Sequence, residues 1–303
     1  MFEAIGSVFG FSSAPDDVVV SEIFAYPIKS CRGIRLESSP LSTRGLKYDR
    51  MFALMNNKGV HISLRCHPKM ATITTAFSSC GTKLLVECAS MSSGIEVPLE
   101  ELPGEKTYET LHIWDSPCDV FEVDVAFSQW FCEALKIKET KFVRLAEHFV
   151  RETSRKTSPS GQHALADQFP YLLVSEKSLD AVNALLEVPI TMENFRPNIV
   201  VKNCEAFAED TWQQVVLGGI TMSVTQRCSR CVLPNTHPIT GIRDNKLSVS
   251  KALRNFRTGQ HLGVEGDEDM QEATFWGVHL DNHNAGDSDN IVSVGDVVTI
   301  LPK

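Results

Sequence analysis

The stretch Cys228-Ser229-Arg230-Cys231-Val232-Leu233-Pro234-Asn235 places two thiols three positions apart, with an arginine between them. The run 219–225 that precedes it is rich in β-branched residues and predicts a strand. The proline and asparagine that follow predict a loop. Two thiols at the end of a strand suit a soft-metal site or a redox site, and they also suit a pair of buried structural cysteines.

The size and charge of the chain narrow the class of protein. Its 303 residues, 43% of them hydrophobic, predict two domains with a buried core. The net charge of −9 argues against a general nucleic-acid-binding protein, which would need a basic face. No apolar run reaches the ~18 residues of a transmembrane span. Nine cysteines, an odd number, without a secretory signal predict reduced thiols and a cytoplasmic location.

Short strands separated by turn residues dominate the first half of the chain. The turn Asn56-Asn57-Lys58-Gly59 lies between two such runs, 51–55 and 60–64, and predicts a hairpin. The second half mixes strands with helices, one of which begins after Ser175, and the polar run 150–168 predicts a long surface loop. We therefore expect a mostly β fold with some helix, of the α+β class.

These patterns also predict how the chain is divided. Residues 1–17 are expected to form a flexible tail, because chain termini are usually poorly ordered. The spacing of the short strands predicts a small antiparallel barrel or sandwich over about residues 18–125, and the rest of the chain is expected to form a second domain packed against it.

The cysteine pair has four interpretations. Structural zinc needs four protein ligands, and no second Cys-x-x-Cys accompanies this one. A thioredoxin-like dithiol needs a helix N-terminus at its first thiol, whereas a loop with a proline follows here. Two buried free cysteines would need no function at all. Alternatively, one thiolate binds a soft metal whose cofactor supplies the other ligands, and nearby cations hold the anionic parts of that cofactor.

Candidate cations and hydrogen-bonding residues occur near other predicted strand ends. Lys29 and Ser30 directly follow a predicted strand and suit an oxyanion. Arg50 lies beside an apolar strand and needs an anionic partner, from the protein or from a ligand. Arg196 and Asn198 flank a proline at the start of another strand, and the proline is expected to hold Arg196 in an extended conformation.

Four motifs follow one another along the chain. These motifs are Tyr-Pro-Ile-Lys-Ser-Cys-Arg-Gly at 26–33, Asp49-Arg50, Asn-Phe-Arg-Pro-Asn at 194–198 and Cys-Ser-Arg-Cys at 228–231. In this order they resemble the MOSC superfamily, which includes amidoxime-reducing components and the C-terminal domain of molybdenum cofactor sulfurases. The resemblance covers about residues 18–301. It implies a MOSC N-terminal β-barrel domain at 18–140 and a MOSC-type β-barrel domain at 141–303.

The resemblance implies a molybdenum–pyranopterin (molybdopterin) cofactor. By motif match, the thiolate of Cys231 would bind molybdenum and would be the catalytic ligand. The pterin and its phosphate would be held by the other matched residues, which are Lys29, Ser30, Arg50, Arg196, Asn198, Ser229 and Arg230. The implied activity is reduction of N-hydroxylated small molecules, with electrons from a separate protein, a b-type cytochrome and its reductase. The alternative is a carrier of the cofactor or of its sulfur, without redox turnover.

The motifs depart from the family pattern on the substrate side. His237 stands where an acidic residue is expected, and His279 stands near an expected tyrosine. Gln168 and Phe169 replace two hydroxyl residues. Either histidine is therefore a candidate for contact with substrate, whereas Cys228 is expected to be a buried structural neighbour. Association with the mitochondrial outer membrane is a further implication, although the apolar residues 1–11 are too short to span a membrane.

Overall fold

The computed structural model describes residues 17–100, 104–153, 161–282 and 290–302. The predicted tail at 1–17 therefore lies outside the described residues, apart from Asp17. Of the described residues, 39% lie in strands and 17% in helices, which confirms the expected α+β fold dominated by strands. No helix in the described ranges is long and apolar enough to cross a membrane.

The described part of the chain contains strands and helices that we number in chain order. The strands are β1 (Val19–Ala25), β2 (Ile34–Leu36), β3 (Ser38–Ser42), β4 (Gly45–Leu46), β5 (Phe52–Asn56), β6 (Ile73–Phe77), β7 (Lys83–Cys88), β8 (Ile95–Pro98), β9 (Tyr108–Ile113), β10 (Ser116–Glu122), β11 (Thr140–Leu145), β12 (Tyr171–Ser175), β13 (Ile199–Lys202), β14 (Gln214–Leu217), β15 (Ile220–Arg230), β16 (Thr274–Asn282), β17 (Ile291–Ser293) and β18 (Thr299–Leu301). The helices are α1 (Val125–Leu135), α2 (Glu176–Asn183), α3 (Ser248–Arg254) and α4 (Glu268–Glu272).

An eight-stranded sheet joins the two halves of the chain, in the order β18-β14-β15-β16-β12-β13-β1-β2. Strand β1 pairs antiparallel with β13, so Val19 lies opposite Lys202. Farther along, β11 pairs with β5 and β10 in a four-stranded sheet, at the end of the first half. The domain boundary at 140/141 stays a prediction. The shared sheet nevertheless brings the chain that leaves β1 next to the chain that enters β13.

Capping side chains explain where two helices begin. Asp124 accepts a hydrogen bond from the backbone N–H of Ala126 at 2.7 Å and starts α1. Ser175 accepts one from the N–H of Ser178 at 3.2 Å and starts α2, at the position that the sequence predicted. Packed side chains from β5, β11 and α1 fill the core under the smaller sheets, where Phe142 stacks between Phe52 and Phe131.

The predicted surface loop at 150–168 is wrong in its described part. Arg151, His163 and Leu165 are all buried. Arg151 donates hydrogen bonds to the backbone oxygens of Ala164 and Ala166, and the backbone polar groups are thereby satisfied inside the protein. A polar sequence can be buried when its own side chains supply the partners that water would supply outside.

The predicted hairpin is present, although its return segment is not a full strand. The return segment meets β5 at the bridge between Met55 and His61. The carbonyl of Val60 accepts a hydrogen bond from the N–H of Asn56 at 3.0 Å, and Val60 also pairs with His112 of β9. A partner distant in sequence therefore adds to the local one that the turn residues favoured.

Candidate cofactor site

A cavity of about 690 Å³ opens beside the C-terminal end of β15. It is lined by side chains from both halves of the chain, including the loops after β1 and before β12. All eight residues that the sequence singled out line it, namely Lys29, Ser30, Arg50, Arg196, Asn198, Ser229, Arg230 and Cys231. The structure brings them together, while their individual roles stay predictions.

Cys231 directly follows β15 and exposes its thiol. The Nε–H of Arg65 points to its sulfur, and the Nε–Sγ distance is 3.3 Å. The guanidinium of Arg65 also lies 4.4 Å from the ring centre of Trp114, in the turn between β9 and β10. Sequence reasoning missed Arg65 and Trp114, because each is an isolated residue in a loop and only folding places it here.

An ion-pair group adjoins the thiol, with Lys29 buried and Asp167 partly exposed. Asp167 lies 2.5 Å from the Nζ atom of Lys29 and 3.1 Å from an Nη atom of Arg65. Burial lowers the pKa of Lys29, although Asp167 opposes this. Burial alone would raise the pKa of Asp167, but Lys29 and Arg65 outweigh it and hold that pKa far below its ordinary value. Two cations thus share one carboxylate, and the group keeps an excess positive charge.

Arg50 has the anionic partner that its position demanded. Its Nη1 atom lies 2.6 Å from the buried Asp49 carboxylate and donates to the Oδ1 atom of Asn198 at 3.1 Å. The other oxygen of Asp49 accepts from the backbone N–H of Tyr26 at 2.7 Å. Asp49 therefore fixes Arg50 and the end of β1 at once.

The ring of Tyr26 packs against two arginines. The guanidinium carbons of Arg196 and Arg50 lie 4.2 and 4.3 Å from its ring centre. A Cβ atom at Gly33 would lie 2.5 Å from the Tyr26 ring, so the glycine in this motif makes room for it. Within the described ranges, Arg196 forms no salt bridge with a carboxylate. Burial lowers its pKa to about 10, so it remains a cation at neutral pH and is available to an anion.

Three lining residues have left-handed backbone conformations, which L-residues with side chains seldom adopt. Their φ angles are 74° at Ser30, 49° at Arg50 and 58° at Arg196. The expectation that a proline holds Arg196 extended is therefore wrong; its backbone N–H bonds to the carbonyl of Glu193 and turns the chain. Such strain, about 1–3 kcal/mol per residue, concentrates at functional sites in proteins.

The two cysteines of the pair differ. Cys228 is buried, and an Nη atom of Arg230 lies 3.0 Å from its sulfur. Burial alone would raise the pKa of Cys228, but the nearby His279 and Arg230 lower it to about 6. Cys228 also lines the cavity. The expected burial of Cys228 is therefore confirmed, whereas its role stays a prediction.

The two candidate histidines lie in different environments. His237 is exposed, does not line the cavity, and accepts hydrogen bonds from the N–H groups of Ile239 and Thr240 at 3.2 and 3.3 Å. His279 is buried, lines the cavity and lies 5.0 Å from Phe169 between ring centres. Of the two histidines, only His279 therefore lies where it can contact a substrate in the cavity.

The cavity lining carries a net positive charge, whereas the whole protein is negatively charged. Among its described lining residues, six are lysine or arginine and three are aspartate or glutamate, whereas the chain carries −9. No group of three metal-binding side chains occurs in the described ranges. One accessible thiol with surplus cations can bind an anionic group whose metal carries other ligands of its own.

Comparison with known families identifies both halves of the chain. The MOSC N-terminal beta barrel domain matches residues 17–138, and the MOSC domain matches residues 160–299. "Mitochondrial amidoxime-reducing component 1" of Xenopus laevis is 31% identical over 82% of this chain and 78% of its own. "Mitochondrial amidoxime reducing component 2" of Rattus norvegicus is 31% identical over 78% of this chain and 72% of its own.

A more distant relative belongs to a longer protein. "Molybdenum cofactor sulfurase" of Oryza sativa subsp. japonica is 25% identical over 75% of this chain and 29% of its own. The matches to the two domains and to the amidoxime-reducing components extend over most of the chain. The chain therefore belongs to the MOSC family, with a MOSC N-terminal beta barrel domain followed by a MOSC domain.

Proposed function

We propose that the protein holds a molybdenum–pyranopterin cofactor and reduces N-hydroxylated small molecules. The observation that carries this proposal is the cavity in which the accessible thiol of Cys231 meets an excess of cations. Relatives named as amidoxime-reducing components support the reaction class. These names describe the relatives, and the substrate class of this chain is part of the proposal.

The residues present fit the cofactor. Cys231 would hold the metal, because its thiol is accessible at the cavity. The phosphate would lie near Arg196, whose charge has no carboxylate partner in the described ranges, with the other matched residues around the pterin. When bound, the group supplies two-electron redox chemistry.

The side chains of the protein hold and orient that site. Asp167 fixes Lys29 and Arg65, and Arg65 in turn donates to the sulfur of Cys231. Phe169 and Phe195 line the cavity and limit access of water. Reduction of an N-hydroxyl group consumes two electrons and two protons, breaks the N–O bond and releases water. The electrons would come from a separate protein, a b-type cytochrome and its reductase.

A second candidate is a carrier that holds the cofactor or its sulfur without turnover. The observation that favours it is the Cys228 thiol, which lines the cavity and whose pKa is lowered to about 6. A thiolate at neutral pH can take the outer sulfur of a donor persulfide, whose own thiolate leaves. This candidate predicts cofactor or sulfur transfer to an apo-acceptor protein and no reduction of an amidoxime.

The test begins with expression in a host that makes the cofactor. We expect about one molybdenum per chain, and turnover of benzamidoxime with a chemical reductant that is abolished in Cys231→Ala. Cys80→Ala is the matched control, because Cys80 is also an exposed free thiol but does not line the cavity. Absence of molybdenum overturns both candidates, whereas bound molybdenum without turnover favours the carrier.

A further inference from the structure

The buried histidine of the cavity has the thiol of Cys228 as a polar neighbour but, among the described residues, no partner in well-aligned hydrogen-bonding geometry. His279 is 8% exposed and lines the cavity. Neither of its ring nitrogens has a partner in hydrogen-bonding geometry within the described part of the chain. Burying a polar group without a partner costs on the order of 1–3 kcal/mol. Such a group at a cavity wall is therefore available to a ligand.

The position of this side chain is fixed by its surroundings. His279 lies in β16, between Leu172 of β12 and Gln226 of β15. Its ring packs on Phe169, and its backbone oxygen accepts from the hydroxyl of Thr225 at 3.2 Å. A central strand with neighbours on both sides holds an imidazole in one place, as ligand recognition requires.

A second buried histidine in the same cavity has an aligned partner. His163 is also buried and lines the cavity, and its Nδ1 atom lies 3.3 Å from an Nη atom of Arg151. The fold can therefore provide an aligned nitrogen partner to a buried histidine at this wall. For His279 the described chain provides only the neighbouring thiol of Cys228, and neither ring nitrogen is aligned with a partner.

The chemistry around His279 distinguishes its ligand from the cofactor. The cationic side chains that suit a phosphate include Arg50 and Arg196, which both pack against the ring of Tyr26. The ring of His279 instead packs against the apolar ring of Phe169. A neutral imidazole offers one donor and one acceptor. An amidoxime presents the matching pair, a hydroxyl that donates and an imine nitrogen that accepts.

We propose that His279 contacts the substrate and hydrogen-bonds its N-hydroxyl group. This inference rests on the proposed function and adds the residue that recognises the reacting group. The side chain of Arg230, which reaches Cys228 beside His279, would remain with the cofactor and not with the substrate.

Binding of benzamidoxime to the oxidised, molybdenum-loaded protein, measured by calorimetry without reductant, tests this proposal. We expect His279→Phe to keep the molybdenum content and to raise the dissociation constant about 10-fold, since one hydrogen bond is lost. His279→Gln and His279→Asn place an amide near one ring nitrogen or the other. One of them should restore binding to within about threefold of wild type.

Two further measurements separate this proposal from its alternatives. His237→Asn is the control, since His237 is exposed and outside the cavity, and it should bind as wild type does. Thermal unfolding of each variant tests for misfolding, and His279→Leu serves if His279→Phe does not fold. An unchanged dissociation constant in the folded apolar variant overturns the proposal, and so does loss of molybdenum from it. Failure of the wild type to bind molybdenum overturns the proposed function instead.

Discussion

The Nε atom of Arg65 lies 3.3 Å from the Sγ atom of Cys231, although 166 positions separate the two residues in the chain. Asp167 and Trp114 hold the guanidinium from two other sides, through an ion pair at 3.1 Å and a ring contact at 4.4 Å. The first half of the chain therefore supplies a hydrogen bond to the thiol that the second half presents.

Replacing Arg65 should change the redox potential of the loaded protein. In Arg65→Met the sulfur of Cys231 loses a hydrogen-bond donor. That donor stabilises the reduced, more negative state, so its loss should lower the reduction potential. A hydrogen bond of ~1 kcal/mol corresponds to a decrease on the order of 20–30 mV for a two-electron couple. Spectroscopic redox titration measures it. Arg35→Met, at an exposed surface pair, should leave the potential unchanged; an equal shift in both would contradict the assignment.

Replacement of each cysteine should have a different effect. Cys231→Ser should lose molybdenum-dependent activity, because the proposed metal ligand is gone. Cys228→Ser should retain metal and lose about 1 kcal/mol of folding free energy, since it alters a buried contact with Arg230. Metal analysis and denaturant unfolding measure the two effects. Equal loss of cofactor from both variants would support a dithiol instead.

Asp49→Asn should destabilise the folded protein strongly. The substitution leaves Arg50 without its charged partner in a buried position, and breaking such a pair costs about 3–5 kcal/mol. Denaturant unfolding of the apo-protein measures the change. Glu96→Gln, which breaks the exposed pair with Lys83, is the matched control and should cost less than about 1 kcal/mol. Similar losses in both variants would show that Asp49 is not an anchor.

The stability of the protein should fall in mild acid partly through His163. Burial, with Arg151 nearby, lowers the pKa of His163 from 6.5 to about 3. Between these values the unfolded chain binds a proton that the folded protein excludes, so stability decreases as pH falls, by ~1.4 kcal/mol per unit.

The test compares unfolding free energies at pH 7 and pH 5 in wild type and in His163→Gln, whose amide can still meet Arg151. The loss of unfolding free energy between pH 7 and pH 5 should be smaller in the variant by about 2 kcal/mol. This figure corresponds to about 1.4 kcal/mol for each pH unit below 6.5. His237→Gln, at an exposed histidine, should show the wild-type decrease. Identical pH dependence in wild type and His163→Gln would mean that His163 is not buried in its neutral form.

Local patterns predicted those features that depend on neighbours in sequence. The cap at Ser175 starts its helix as expected, because the hydroxyl needs only the N–H three positions on. The prediction for Arg50 was also sound, since the nearby Asp49 is its partner. The turn after Asn56 also returns the chain to β5, whereas the further pairing of Val60 with His112 of a distant strand was not predicted.

The sequence alone also indicated which residue types an anionic, metal-bearing cofactor would need, because motif order and residue chemistry are local properties. It could not indicate that Arg65 reaches Cys231 or that Tyr26 packs against two arginines. Nor could it indicate that the ring nitrogens of His279 lack an aligned partner among the described residues while His237 accepts backbone hydrogen bonds. These relationships follow from the shared eight-stranded sheet and from burial. Chain segments more than a hundred positions apart meet only after folding, and the tertiary structure alone decides which polar groups are satisfied and which face the cavity.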